Sequence, residues 1–341
     1  MSREIEPSRE EQTVPTFKIA VVQTAPVFLD REATVARARE LISEAGQNSA
    51  RLVVFPEAFI PTYPDWVWHV PPREHRLLAD LHAELLEQSV EIPGPVTEEL
   101  SRAARQAGVY LAMGVNERNA EASNASLYNT LLYIDPNGNL MGKHQKLVPT
   151  APERMVWAQG SGSTLGVYDT SLGKLGGLIC WENYMPLARY SMYAWGTQIY
   201  LAPTWDNGEP WLSTLRHIAK EGRVYVVGCS IAMRKEDIPD RFEFKAGHYS
   251  EADEWINKGD SAVVGPDGKF IAGPLNAEKG ILYAELDPRQ MRGPKWNLDV
   301  AGHYARPDVF QLTVSREDRP VIAVAETPER EQRDENEAPE A

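Results

Sequence analysis

Cysteine is almost missing from this chain: Cys180 and Cys229 are the two among 341 residues. So small a supply excludes a disulfide framework and fits a reducing cytoplasm in which thiols stay free. No apolar run approaches the roughly 18 residues that would span a bilayer. Positive charge is also short. Thirty-five Lys and Arg stand against 49 Asp and Glu, a net charge of -14, with no clustered basic stripe. That balance excludes a nucleic-acid surface, which needs gathered Lys and Arg, and argues equally against an anionic membrane. The first twelve residues are charged and hold no apolar segment, so they read as neither leader nor anchor. The seven histidines show no metal-ligand spacing.

What is present is a 43% apolar chain of mixed charge, long enough for one large or two small domains. Phe17 to Gln23 and Leu52 to Phe55 read as buried strands. Between them Ala38, Leu41, Ile42 and Ala45 recur at helical spacing after a capping Asp30, with Gly46 as the stop. A strand, helix, strand order calls for a parallel or mixed sheet covered by helices. Helices are expected over His75 to Leu86 and, with Pro95 at its first turn and Gly108 as its stop, over Pro95 to Ala107. Val109 to Val115 is a strand and Asn116 to Ser126 a polar surface loop. Leu127 to Ile134 and Asn139 to Lys146 form a hairpin about Asp135 to Gly138. About nine strands alternate with five helices, with no internal domain boundary. The charged stretch Arg234 to Asn257 is expected as a surface excursion near the entrance or an interface.

The segment Leu175 to Tyr184 organises the rest. Its apolar, glycine-punctuated start suits a buried strand, Pro186 to Trp195 reads as a helix, and Cys180 falls at the strand end. Ligands of open α/β sheets bind beyond such strand ends, which suits a nucleophile; a buried structural cysteine fits the position equally well. Cys229, inside another buried-strand pattern, reads as core. Glu57 also stands at a strand end, amid aromatic and proline residues that would desolvate it and raise its pKa toward that of a usable base; an exposed loop glutamate is the alternative. A lysine such as Lys146 near a reactive thiol would lower the thiol pKa and meet a developing anion, although a solvated hairpin lysine is the commoner case. His144 reads as a surface or hydrogen-bonded histidine.

Four stretches, Phe55-Pro-Glu57, Gly142-Lys-His-Gln-Lys146, Pro149-Thr-Ala-Pro-Glu-Arg154 and Gly177-Leu-Ile-Cys-Trp-Glu-Asn-Tyr-Met-Pro-Leu-Ala-Arg189, resemble the successive signatures of the nitrilase family within the carbon-nitrogen hydrolase superfamily. The likeness spans Phe17 to Thr313. It implies an α/β fold, a four-layer αββα sandwich of the nitrilase type. It also implies Cys180 as nucleophile, Glu57 as base, Lys146 as stabiliser of the tetrahedral intermediates, and Glu153 as a second glutamate positioning Lys146 and Glu57. No metal or cofactor is called for, and the partner is a small-molecule nitrile. Tyr63, Trp181 and Trp205 are candidates for the pocket wall, where apolar lining is the rule, or else for the core.

An amidase, a carbamoylase or a cyanide-hydrolysing enzyme would use the same Glu, Lys and Cys, and a silent scaffold of this fold is a more distant alternative. The resemblance, with Leu187, Tyr190, Met192, Tyr193 and Trp195 spread over more than one side of a helix, further implies a homo-oligomer, a dimer or a larger spiral. Residues 1–14 and 315–341 are expected to be disordered tails around a single domain at 15–314. From Arg316 the tail sets nine acidic residues against four arginines, a composition that cannot repay ordering entropy.

Overall fold

The period-2 alternation of Phe17–Gln23 decides how this molecule is layered. Ile19 and Val21 join one buried cluster, Ala20 and Val22 another, so the strand is covered on both faces. The computed structural model describes residues 15–120, 122–249 and 254–317. Of the tails expected to be disordered, 1–14 and 315–341, all but residues 315–317 lie outside those described. In chain order the elements are β1 (Phe17–Gln23), α1 (Arg31–Gln47), β2 (Ala50–Val54), α2 (His75–Gln88), α3 (Pro95–Ala107), β3 (Tyr110–Arg118), β4 (Leu127–Ile134) and β5 (Leu140–Gln145). Then follow β6 (Val167–Thr170), β7 (Gly173–Gly177), α4 (Pro186–Ala194), β8 (Ile199–Thr204), α5 (Glu209–Gly222), β9 (Tyr225–Ser230), β10 (Ala232–Arg234), α6 (Phe244–His248), β11 (Trp255–Val264), β12 (Phe270–Asn276) and β13 (Gly280–Leu286).

The strands form two mixed sheets. One runs β13-β1-β2-β3-β4-β5; the other runs β10-β11-β9-β8-β7-β6, with β12 beside β11. Their facing surfaces share one core, in which Ile19, Val21, Leu52 and Val54 meet Ile199, Leu201 and Val227. The outer face of the first sheet packs Val53 and Leu111 on Ala38 and Ile42 of α1 and on Leu100 and Ala104 of α3. The outer face of the second packs Tyr200, Ala202 and Val226 on Met192 of α4 and on Leu215 and Ile218 of α5. Helix, sheet, sheet, helix is the four-layer αββα sandwich.

This stacking also lines up the strand ends. β1, β2 and β3 are mutually parallel, as are β7, β8 and β9, and β5 regains the direction of β3 through two antiparallel pairings. Glu57 follows β2, Lys146 follows β5, Cys180 follows β7 and Trp205 follows β8.

Several expectations need correction. Asn116 to Ser126 is not wholly a surface loop: β3 continues to Arg118, with Asn116 and Glu117 buried. Asn116 Nδ2 donates to the Thr62 carbonyl at 2.8 Å, and Glu117 Oε2 accepts from Thr130 Oγ1 at 2.7 Å, so these polar groups enter the interior already paired. Arg234 to Asn257 is more than a surface excursion. Its Phe242, Phe244 and Tyr249 are buried in a cluster with Phe28 and Trp66, supplying aromatic mass that the charge count concealed. On α4, Met192 and Tyr193 face the core; Leu187 is 66% exposed. α1 runs one residue past Gly46, because Asn48 N–H still reaches the Glu44 carbonyl. The described residues hold thirteen strands and six α-helices, since short pieces such as β6 and β10 carry too little periodicity to be seen in sequence.

Candidate active site

At the aligned strand ends a buried ammonium sits between two carboxylates. Lys146 Nζ lies 2.8 Å from Glu57 Oε1 and 2.7 Å from Glu153 Oε2, and all three side chains are removed from solvent. The solvated-lysine alternative is therefore excluded, as is the exposed-glutamate reading of Glu57. Each carboxylate is held by two further donors. Asn129 Nδ2 donates to Glu57 Oε1 and Trp205 N–H to Glu57 Oε2, both at 2.7 Å. Tyr63 OH donates to Glu153 Oε1 at 2.6 Å and Thr150 N–H to Glu153 Oε2 at 2.7 Å. A buried ion network is tolerated only when its lone pairs are occupied in this way.

Two glycines let the backbone come this close. A Cβ on Gly114 of β3 would stand 2.0 Å from the Pro56 carbonyl oxygen, and one on Gly177 of β7 would stand 2.1 Å from that of Leu201. They admit the chain just before Glu57 and just before Cys180.

Cys180 opens a tight 3-10 turn, Cys180–Tyr184, with φ of 52°, a left-handed conformation that costs a β-carbon-bearing residue energy and persists only where its surroundings enforce it. Asn183 Nδ2 enforces it by donating to the Cys180 carbonyl at 2.7 Å and the Leu178 carbonyl at 3.0 Å. Arg189, the last residue of the fourth signature, donates to the Asn183 carbonyl and pairs with Glu221 of α5. The thiol is 4% exposed and faces a cavity of about 250 Å³.

Burial, then the Glu57 carboxylate, push the Cys180 pKa up, and Lys146 opposes them only in part. The resting group is the neutral thiol. Burial likewise raises the Glu57 pKa, with the Lys146 charge pulling against it. Burial works against the Lys146 charge, but Glu57, Cys180 and Glu153 outweigh it and the ammonium is retained. The site thus holds a thiol, a carboxylate whose proton affinity burial raises, and a fixed cation.

The three proposed wall residues divide. Tyr63 is buried and stacks on Trp205, with ring centroids 4.5 Å apart and planes within 5°; both line the cavity. Trp181 is 49% exposed at the rim, its Nε1 donating to Asp206 Oδ2 at 2.8 Å. Trp68, also at the rim, donates to Tyr63 OH at 2.9 Å.

Sequence reasoning missed Glu182. Its Oε2 accepts from Ile179 N–H at 2.8 Å and its Oε1 from Leu147 N–H at 2.6 Å. One carboxylate therefore ties the residue before Cys180 to the residue after Lys146. His144, buried rather than at the surface, contacts Glu182 Oε2 through Nε2 at 3.0 Å. Asn129 was missed too, although a polar Asn-Thr pair inside the apolar run Leu127 to Ile134 was a usable signal. Among the described residues no group of three or more His, Cys, Asp or Glu is arranged to hold a metal ion, and no helix is long and apolar enough to cross a membrane.

Comparison with known proteins identifies the family. Residues 18–294 match the carbon-nitrogen hydrolase family. The chain is 42% identical over 312 residues to an aliphatic nitrilase of Sinorhizobium fredii, covering 90% of this chain and 98% of that one. It is 39% identical over 314 residues to a bifunctional nitrilase/nitrile hydratase of Nicotiana tabacum, covering 89% and 88%. Among solved structures, a Saccharomyces cerevisiae member of branch 10 of the nitrilase superfamily superposes with a TM-score of 0.66 at 23% identity, covering 86% of this chain and 97% of that chain, a likeness of fold.

Proposed function

This chain belongs to the carbon-nitrogen hydrolase family, in its nitrilase branch, and we propose that it hydrolyses organic nitriles to the carboxylic acid and ammonia with Cys180 as nucleophile. The observation that carries the roles is the Lys146 ammonium held at 2.8 and 2.7 Å from Glu57 and Glu153 beside a strained, buried thiol. Glu57 takes the thiol proton as sulfur adds to the nitrile carbon, giving a thioimidate; the nitrile nitrogen receives that proton. Water adds to the thioimidate, ammonia leaves, and a thioester remains. A second water cleaves the thioester, releasing the acid and restoring the thiol, so one nitrile and two waters yield one acid and one ammonia. Lys146 and the N–H following Cys180 stabilise the charge of the tetrahedral intermediates. Glu153, fixed by Tyr63 and Thr150, keeps Lys146 aimed, and Tyr63, Trp181 and Trp205 contact the organic part of the substrate.

Residues 15–314 act as the one catalytic domain, a cytoplasmic enzyme with both thiols free. It works as a homo-oligomer. Leu187 on α4, with Tyr184 beside it, offers apolar area that a second copy would cover, and a shift of α4 would reach Cys180 through Asn183 and Arg189. Light scattering over a dilution series with activity read on the same samples tests this; a fully active monomer overturns it. The reaction itself is tested by mass spectrometry of the protein quenched during turnover of a nitrile. An acyl or imidate adduct on Cys180 is expected, with acid and ammonia formed in equal amounts. Release of amide as main product would instead align it with the hydratase activity of its tobacco relative.

A further inference from the structure

The cavity in front of Cys180 is rich in carboxylates. Asp65, Glu153 and Asp206 line it and Glu57 lies behind Lys146, whereas its lining includes no Lys or Arg. Lys146, bonded to two carboxylates, has its charge already answered. His69 Nε2 stands 3.2 Å from Asp65 Oδ2. With Glu57 ionised as the base, four carboxylates face one ammonium, an excess of three negative charges, or two when His69 is protonated.

Neither rim carboxylate is a floating surface group. Asp65 is buried and takes a hydrogen bond from Tyr249 OH at 2.8 Å; Asp206 takes Trp181 Nε1 and Asn207 N–H, each at 2.8 Å. Both are held in place before any substrate arrives. The other walls include the rings of Tyr63, Trp68, Trp181 and Trp205. Aromatic faces carry the negative lobe of the ring quadrupole, so they attract cations as the carboxylates do.

Resting on the nitrilase reading, we propose that this pocket selects its nitriles by charge, accepting those whose organic part carries an ammonium group and rejecting those that carry a carboxylate. A like charge brought into a partly desolvated, electronegative cleft is opposed by several nearby groups at once, and walls of low dielectric focus that field. The same field helps clear the site, because the carboxylic acid formed at Cys180 ionises and is repelled outward. Asp65 and Asp206 are the specificity residues; neither takes part in bond making.

The test uses the full-length protein in two arms. In the first, kcat/KM is measured for short straight-chain nitriles of equal length ending in an ammonium, a methyl or a carboxylate. The ammonium nitrile should match or exceed the methyl one, and the carboxylate nitrile should fall below it by about 30-fold, the effect of one unfavourable charge contact at intermediate dielectric. Asp206→Asn, which keeps an acceptor for Trp181, should narrow the gap several-fold, and raising the salt should narrow it further.

The second arm needs no nitrile: Cys180 is alkylated with iodoacetamide or iodoacetate, the site is mapped by mass spectrometry, and the rate ratio is compared with that of free cysteine. Iodoacetate should be disfavoured at Cys180 by about 30-fold beyond its disadvantage in solution. Equal turnover of methyl and carboxylate nitriles, or a Cys180 ratio equal to that of free cysteine, overturns the proposal. Alkylation bias without turnover of any nitrile would overturn the nitrilase reading instead and leave the charge selection standing.

Discussion

Cys180 follows β7 and Cys229 lies in β9, the strands on either side of β8, and both join the same inter-sheet core, yet their surroundings share little. Cys229 lies inside β9, where its Sγ donates to the carbonyls of Val22 at 3.2 Å and Val54 at 3.4 Å, and burial pushes its pKa well up. Cys180 is pushed up by burial as well, but it stands one strand end further out, on a left-handed turn, with Glu57, Lys146 and Thr204 against it and a cavity before it. Depth is common to both. What separates a reactive from an inert thiol is a base and a fixed cation within reach, together with room for a substrate.

The largest effect should come from exchanging the reactive thiol. Cys180→Ser is expected to lower kcat by roughly 10⁴-fold or more with little change in Tm, since a hydroxyl of similar size is a far weaker nucleophile. Appreciable turnover by the folded variant would erase the contrast between the two cysteines. Next, Lys146→Ala should cost at least about 10²-fold in kcat, the scale for losing one preorganised stabiliser. Its Tm should be followed in parallel, because the variant leaves Glu57 and Glu153 buried without their counter-charge, which destabilises by several kcal/mol.

Glu182→Gln should be milder, about tenfold in kcat with KM nearly unchanged. The amide can accept from Ile179 N–H or Leu147 N–H but sets an NH₂ against the other, loosening the tie between Cys180 and Lys146. Loss confined to KM would show that Glu182 acts elsewhere.

The acid limb of kcat/KM provides a further measure. Glu57 must be ionised to accept the thiol proton, and burial holds its pKa above the carboxylate reference of 4.5. Activity should therefore be present above that raised pKa and fall as pH drops through it, at a pH higher than an ordinary glutamate would give. A limb at or below the reference would deny Glu57 the role of base. The smallest effect on rate belongs to Cys229→Ala. It should leave kcat near the wild-type value and destabilise by about 1 kcal/mol, a Tm shift of a few degrees in urea-free thermal melts.

Some features were open to local reading. β1 matched its sequence pattern to the residue, as did α3, because Pro95 and Gly108 mark its ends and a single apolar stripe lies between them. The extension of β3 through Asn116 and Glu117 was not, since the partners that satisfy these groups, Thr62, Thr130 and Lys143, come from three other segments. The same limit hid Glu182, whose carboxylate accepts from Leu147 N–H 35 residues earlier in the chain. It also left the aromatic cluster behind α6 looking like charged surface.

The sequence by itself determined the order of the four signatures and the strand ends at which Glu57 and Cys180 stand, because hydrophobic period and turn chemistry are written in neighbouring residues; the αββα layering followed only from the family those signatures resemble. Only the tertiary structure decided that Lys146 is a buried cation between two carboxylates, that Glu182 braces the turn opened by Cys180, and that Asp65 and Asp206 line the cavity before it. Burial and separation set the strength of every charge interaction, and both are properties of residues far apart in the chain that packing alone brings together.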